Sequence, residues 1–264
     1  MSPKIVFVIP YRNRESHKEF FLRYMNYILE DYNKDDYDII FSHQKDSRPF
    51  NRGAVKNIGF KFIKNKYPDD YSNINIVFHD IDVMPSRKNL LHYETTKGVI
   101  KHFYGFNYAL GGIISIKGSD FEKINGYPNY WSWSLEDNCL QKRALNAGIV
   151  IDRSNFYKIG DHNILHIHDG FYKDFSDTNV RLYTQDTGNE GLNTIYQLYT
   201  NEIIVDSENN KLKYMYCDIN KFETLYSHTT QNAIEQHDLR SGNNLSKKKS
   251  KKMTGVFNTL MYNK

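Results

Sequence analysis

The chain has 264 residues and nearly balanced charge, 35 Lys and Arg against 31 Asp and Glu, which excludes a chain-wide electrostatic footprint for nucleic acid. Two cysteines, Cys139 and Cys217, exclude a disulfide framework, and no apolar run approaches the ~20 residues needed to span a bilayer. The length suits one large α/β domain or two small ones. The opening Met1-Ser2-Pro3-Lys4 runs straight into an apolar segment and leaves no room for a signal peptide, so the expected setting is a reducing, soluble compartment. Aromatic residues are abundant at 15%, with 21 Tyr, whose flat face and hydroxyl suit polar rings such as sugars or nucleobases.

Lys4 to Ile9 is a short apolar run ended by Pro10 and predicts a first central strand. Tyr11-Arg12-Asn13-Arg14 follows as a basic loop at its carboxyl end, where two guanidinium groups can clamp a phosphate or stack on a base. From Glu15 to Glu30, the apolar positions Phe20, Phe21, Tyr24, Met25, Tyr27 and Ile28 fit one helix face. Tyr37 to Phe41 predicts a second strand. Phe50-Asn51-Arg52-Gly53-Ala54 opens a second helix with Asn51 as its N-cap and Val55, Ile58, Gly59, Phe62 and Ile63 on its apolar side. Arg52 thereby joins Arg12 and Arg14 near one sheet edge.

The third strand, Asn75 to His79, delivers Asp80 and Asp82, one residue apart, before Pro85 stops it. Strand–helix–strand–helix–strand is the pattern of a parallel sheet with right-handed crossovers, whose ligands bind beyond the carboxyl ends of the strands. Acids at that edge are costly to bury unless they are paired or hold a metal. Asp-x-Asp is therefore a candidate divalent-metal site facing a phosphorylated ligand, although the same pair also suits a plain turn after a strand. Neither G-x-G-x-x-G nor G-x-x-x-x-G-K-[ST] occurs, which removes support for dinucleotide and P-loop readings.

Leu110 to Ile116 predicts a further strand, entered through Gly111-Gly112, a pair that lets a ligand or another chain approach the backbone. Ser119 to Ile124 reads as a short helix and Asn125 to Asn129 as a turn cluster. Both tryptophans, Trp131 and Trp133, then precede Glu136 and Asp137 at the start of a helix running to about Asn146. They read as an aromatic platform for a sugar ring beside a carboxylate base; acids favoured by the helix dipole in a first turn are the plainer alternative. Ile164 to Asp169 alternates, which puts His166 and His168 on one strand face, where two imidazoles can co-ligate a metal or one can serve as a core histidine. Residues up to Val205 finish the sheet region, with one further strand over Lys211 to Cys217. From about Asp218 the chain turns polar, and the run Lys247 to Lys252 reads as a solvated tail, with contact to acidic lipid or a polyanion as the alternative. The expected organisation is a catalytic domain over residues 1–218 and a helical or flexible segment over 219–264.

Taken together, IPYRNR (9–14), FNRGAVKNIGF (50–60), FHDIDVMP (78–85), GGIISI (111–116), INGYPNYWSWSLED (124–137) and GLNTIY (191–196) resemble the β-1,4-galactosyltransferase family, in the same order. The resemblance runs from Ile5 to Asp206. It implies an α/β GT-A fold, a single Rossmann-like domain with a mostly parallel central sheet flanked by helices. It further implies inverting, Mn²⁺-dependent transfer of a hexose, galactose or N-acetylgalactosamine, from a UDP-sugar to a carbohydrate or glycoconjugate hydroxyl. UDP-GlcNAc or UDP-Glc as donor, or a non-catalytic carbohydrate-binding protein on the same scaffold, are the alternatives.

The resemblance also implies roles. Arg12, Arg14, Phe50 and Arg52 would hold uridine and diphosphate, with Asp80 and Ile81 near the ribose and donor sugar. Gly112 and the mobile Trp133 would complete the donor site. Asp82 and His166 would ligate the metal, with Asn163 standing where the family has a Met ligand and His168 as an alternative ligand. Asp137 would be the base and Glu136 the neighbouring acid that binds acceptor. Three departures stand out. Ser132, Ser134 and Leu135 replace the hinge glycines of the family's Trp loop, and Asn138 replaces an acid after Asp137. Ala109 stands where a bulky Tyr often crowds the C2 substituent of the donor, so it would leave room for an N-acetyl group. Animal members carry a membrane anchor and luminal disulfides; without these the expectation is a cytoplasmic bacterial or viral relative, or an anchored enzyme from which the anchor has been removed.

Overall fold

A computed structural model describes residues 2–133, 135–168, 172–205, 212–228 and 235–238. Ser134, Asp169 and the Lys-rich run lie outside them. Ile5–Tyr11 (β1) is buried at every position, as its unbroken apolar run requires of a strand covered on both faces. Glu15–Ile28 (α1) carries the chain to Tyr37–Gln44 (β2), and Arg52–Lys66 (α2) carries it back to Asn75–His79 (β3). Both β2 and β3 pair with β1 in parallel.

The remaining elements are Val83–Pro85 (β4), Val99–Gly105 (β5), Ile113–Lys117 (β6), Gly118–Lys123 (α3), Glu136–Asn146 (α4), Val150–Asp152 (β7), Tyr157–Lys158 (β8), Ile164–His166 (β9), Tyr172–Phe175 (β10), Asp177–Thr184 (α5), Tyr196–Val205 (β11), Tyr214–Glu223 (β12) and Glu235–Asp238 (β13). The central sheet runs β11-β12-β2-β1-β3-β6-β5-β7, with β8 also on β5. Its direction reverses at β6, which lies antiparallel to both β3 and β5. Five of its eight pairings are parallel, so the sheet is mixed and mostly parallel. Alternation along each strand divides the core between two faces. Val6, Val8, Ile40 and Phe78 pack with Ala54, Val55 and Ile58 of α2, whereas Phe7, Ile9, Phe41 and Val77 pack with Phe21, Met25 and Ile28 of α1.

Several elements differ from expectation, each for a local reason. β1 does not stop at Pro10 but continues to Tyr11, because its pairing with β3 ends at Val8 while that with β2 runs on, leaving one side free for a residue without an N–H. Pro85 is not what stops β3, which ends at His79; it is the last residue of β4, which pairs antiparallel with β9 in a separate ribbon. Phe20 and Tyr27 are exposed, so the buried stripe of α1 is Phe21, Leu22, Met25 and Ile28. Trp131 is not a sugar platform. It is buried in the core, stacked on Phe222 at 5.3 Å, and its indole N–H donates to the Thr224 hydroxyl and the Tyr226 carbonyl. Phe222 lies in β12, which runs unbroken past residue 218.

Candidate active site

Asn51 caps α2 by accepting from the Ala54 N–H at 2.9 Å, while its amide donates to the Asn129 carbonyl. The helix entry is thereby locked to the turn before the tryptophans, and a Cβ on Gly53 would run into the Pro128 carbonyl. Arg52, the first residue of α2, therefore leaves the helix from a fixed point. Its Nη2 donates to both Asp80 oxygens at 2.6 and 2.7 Å, and its Nη1 to Glu136 Oε1 and Asp137 Oδ2, each at 2.7 Å. One turn later on the same helix face, Lys56 Nζ donates to Asp137 Oδ1 at 3.1 Å. Three carboxylates from the β3–β4 loop and the start of α4 thus converge on two cations of α2.

Lys56 and Glu136 are buried and Arg52, Asp80 and Asp137 half-buried, and this burial together with pairing sets the charges of the cluster. Burial pushes the Asp80 carboxyl up, but the adjacent Arg52 and Lys56 cations outweigh it and hold the group at about 2. Glu136 is pushed the other way, upward, by burial and by the charge of Asp137 beside it. Lys56 is lowered by burial and by repulsion from Arg52. The chain lets Asp137 sit there because residue 111 is glycine: a Cβ at that position would lie 2.5 Å from Asp137 Oδ2. Main-chain bonds from Leu110 N–H to the Asp137 carbonyl and from Asp80 N–H to the Gly112 carbonyl tie the three segments together.

A second group lies on the β4–β9 ribbon. Val83 pairs with His166, and the Ile167 N–H donates to the Asp82 carbonyl at 2.7 Å, so Asp82 and His166 are neighbours. Arg14 donates to Asp82 Oδ2 at 3.1 Å, His166 Nδ1 meets the Tyr104 hydroxyl at 3.0 Å, and the rings of His166 and His168 are 4.1 Å apart. Both imidazoles are therefore on one side, although the strand ends at His166. Among the described residues no group of three His, Cys, Asp or Glu side chains is gathered for a metal. The Asn163 side chain makes other bonds: its Oδ1 accepts from Arg87 and its Nδ2 donates to Asp161.

The other expected residues fall as follows. Arg12 donates to the Arg48 carbonyl, and Phe50 is half-buried against the core. Ile81 is buried in the core. Gly112 takes φ of +67°, open to glycine and strained for other residues. Trp133 is half-buried and bridges to Phe175 through the backbone. Of the residues standing for the hinge glycines, Ser132 and Leu135 have φ of +84° and +66°, in the left-handed region that favours glycine. Sequence reasoning missed Lys56; its signal was a lysine inside an apolar helix face, four residues after an arginine at a sheet edge.

Comparison with known proteins places these groups in a family. Residues 1–94 match the N-terminal region of glycosyl transferase group 7, and residues 94–169 match a domain described as the N-terminal domain of galactosyltransferase. The β-1,4-galactosyltransferase 7 of Drosophila melanogaster is 30% identical over 181 residues, covering 64% of this chain and 54% of its own. The β-1,4-galactosyltransferase 1 of Mus musculus is 32% identical over 161 residues, covering 58% of this chain and 39% of its own. The chain thus spans about half or less of these relatives' length. A crystal structure of a mutant of the Drosophila enzyme with manganese, UDP-Gal and xylobiose superposes with a TM-score of 0.70 at 21% identity, over 87% of this chain and 97% of that one. That likeness gives the chain the GT-A fold, and the matched sequence regions make it a member of the β-1,4-galactosyltransferase family.

Proposed function

We propose that this chain is an inverting glycosyltransferase that moves galactose or N-acetylgalactosamine from a UDP-sugar to a carbohydrate hydroxyl, with Mn²⁺. The observation that carries the reading is the meeting of Asp80, Glu136 and Asp137 on Arg52 at the carboxyl edge of the sheet, beside the Asp82–His166 pair. The manganese, UDP-Gal and xylobiose bound to the Drosophila relative support it.

In this reading Asp137 takes the proton of the acceptor hydroxyl as that oxygen attacks the anomeric carbon, while the bond from that carbon to the UDP oxygen breaks and UDP leaves with the electron pair. One displacement needs one base, so no carboxylate nucleophile is required. Arg12, Arg14 and Arg52 hold the diphosphate, and Phe50, Asp80, Ile81 and Gly112 border the nucleoside and donor sugar. Glu136, kept neutral more readily than an exposed acid, hydrogen-bonds the acceptor. Trp133 and its loop exclude water and suppress donor hydrolysis. A carboxylate with imidazoles suits Mn²⁺, so Asp82 and His166, with His168 as the alternative, would hold the ion and leave positions for diphosphate oxygens. When bound, the ion supplies Lewis-acid stabilisation of the departing diphosphate. Asn163 is left out of this ligand set.

The catalytic unit in this reading takes in the whole of β12, and the residues after it form a separate segment. Ala109, buried beside Gly111, favours an N-acetylated donor as the second reading. Two free, buried cysteines support a reducing compartment; among the described residues no helix is long and apolar enough to cross a membrane. The test is UDP release with Mn²⁺ across UDP-Gal, UDP-GalNAc, UDP-GlcNAc and UDP-Glc, with and without sugar acceptors. Acceptor-stimulated release from one donor names the sugar, and transfer from UDP-Gal alone removes the N-acetyl reading. Asp137→Asn is expected to abolish transfer while leaving UDP and Mn²⁺ binding near normal; unchanged turnover removes Asp137 as the base.

A further inference from the structure

We propose that Lys56 is a positioning residue that holds one oxygen of Asp137 and so aims the other at the acceptor hydroxyl, an inference that rests on reading Asp137 as the base. Its ammonium donates to Asp137 Oδ1 at 3.1 Å, whereas Oδ2 is the oxygen on the Gly111 side, where only a missing side chain leaves space. Lys56 is 1% exposed and its Nζ lies 4.4 Å from the centroid of the Tyr127 ring, so it is too enclosed to serve as a ligand contact itself. Burying an ammonium is unfavourable, and an apolar residue of the same length would pack there without that penalty. The charge is therefore present for what it touches.

Arg52 differs from Lys56 in a way that separates their roles. Arg52 divides its donors among three carboxylates and is the cation assigned to the diphosphate; when it turns to the donor, Asp137 Oδ2 is released toward the acceptor. Lys56 stays on Oδ1 and keeps the carboxylate from rotating. The charged and titratable groups around Asp137 are Arg52 and Lys56 of α2, Glu136 of α4, Asp80 of the β3–β4 loop, His102 of β5 and Tyr127. His102 is buried and pushed down to about 4, which makes it neutral near pH 7. With Arg52 drawn to the donor, Lys56 is the cation left on Asp137.

The test compares wild type with Lys56→Met and Lys56→Gln, the second keeping a hydrogen-bond donor without charge and serving alone if the first does not fold. Two readouts are taken: the pH profile of kcat/KM with Mn²⁺ and the active donor, and a ¹³C-carboxyl NMR titration in which Asp137 is identified by its loss in Asp137→Asn. Loss of an adjacent cation is expected to move the acid limb of the profile to higher pH in both variants. In Lys56→Met, kcat is expected to fall by ~10–100-fold with donor KM within about twofold, and Gln is expected to restore part of kcat without restoring the profile. On the Asp137→Asn background Lys56→Met is expected to have no further effect on residual rate. Superimposed titrations and profiles, or a loss confined to donor KM, overturn the proposal. Full activity in Asp137→Asn overturns instead the base reading, and the NMR titration then still decides whether Lys56 governs that carboxylate.

Discussion

Val83 and His166 sit opposite each other in the β4–β9 ribbon, and this one antiparallel pair makes Asp82 a chain neighbour of a histidine from far along the sequence. If the two act together on a metal, removing either is expected to weaken Mn²⁺-dependent UDP binding by at least ~10–100-fold, the loss seen even for outer-sphere partners. Titration calorimetry of Asp82→Ala and His166→Ala with UDP and Mn²⁺ reads this directly. Asn163→Ala, whose side chain serves Arg87 and Asp161, is expected to bind near normally.

Gly111 is required by its neighbour rather than by its own backbone. A methyl group there would lie 2.5 Å from Asp137 Oδ2, so the carboxylate must swing or the loop must retreat. Gly111→Ala is expected to lower kcat by about 100-fold, the penalty for a misplacement near 1 Å, with UDP affinity retained. A kcat within a few-fold of wild type would show that Oδ2 is not the reacting oxygen.

The Trp loop keeps left-handed positions without glycine. At Ser132, substitution by glycine relieves about 1 kcal/mol of backbone strain but forfeits the 3.1 Å bond from Asn179 Nδ2, of similar size. Ser132→Gly is thus expected to unfold within about 1 kcal/mol of wild type. Leu135→Gly relieves the same strain but loses a buried side chain worth about 1.5–3 kcal/mol, so a net loss of about 0.5–2 kcal/mol is expected. Denaturant titration measures both; losses of about 1 kcal/mol in Ser132→Gly and about 1.5–3 kcal/mol in Leu135→Gly would mean that the strain is absent.

Glu190 accepts from Asn129 N–H at 2.8 Å and Asn129 Nδ2 at 2.7 Å, which holds the turn before the tryptophans. Burial pushes its carboxyl up to about 7. Because the folded chain holds this proton longer than the unfolded one, the associated stability is present below the ordinary carboxylate range and lost as pH rises through about 7. Buried His79 and His102, both pushed down to about 4, act in the opposite sense, losing stability as pH falls through that value. The difference between wild type and Glu190→Gln cancels them. From pH 5 to 8 the variant is expected to gain about 3 kcal/mol relative to wild type in denaturant unfolding; a pH-independent difference would refute this.

By itself the sequence determined the βαβαβ half, the Asn51 cap, the Asp80–Asp82 pair at a strand end and the shared side of His166 and His168. These are written in local spacing: an apolar run reports burial, and periods of two or near four report which side chains share a face. The motif order supplied the family in the same way. Tertiary structure alone decided what each charge touches. Arg52 was expected on phosphate and is found on three acids, Lys56 was passed over and is found on Asp137, and Trp131 left the sugar site for the core against Phe222. Strand β5 and the ribbon through Pro85 were likewise invisible, since a short strand is recognised by its partner, not by its own residues. A charge or a ring shows in sequence only that it must be satisfied; which group satisfies it depends on segments that meet only when the sheet closes.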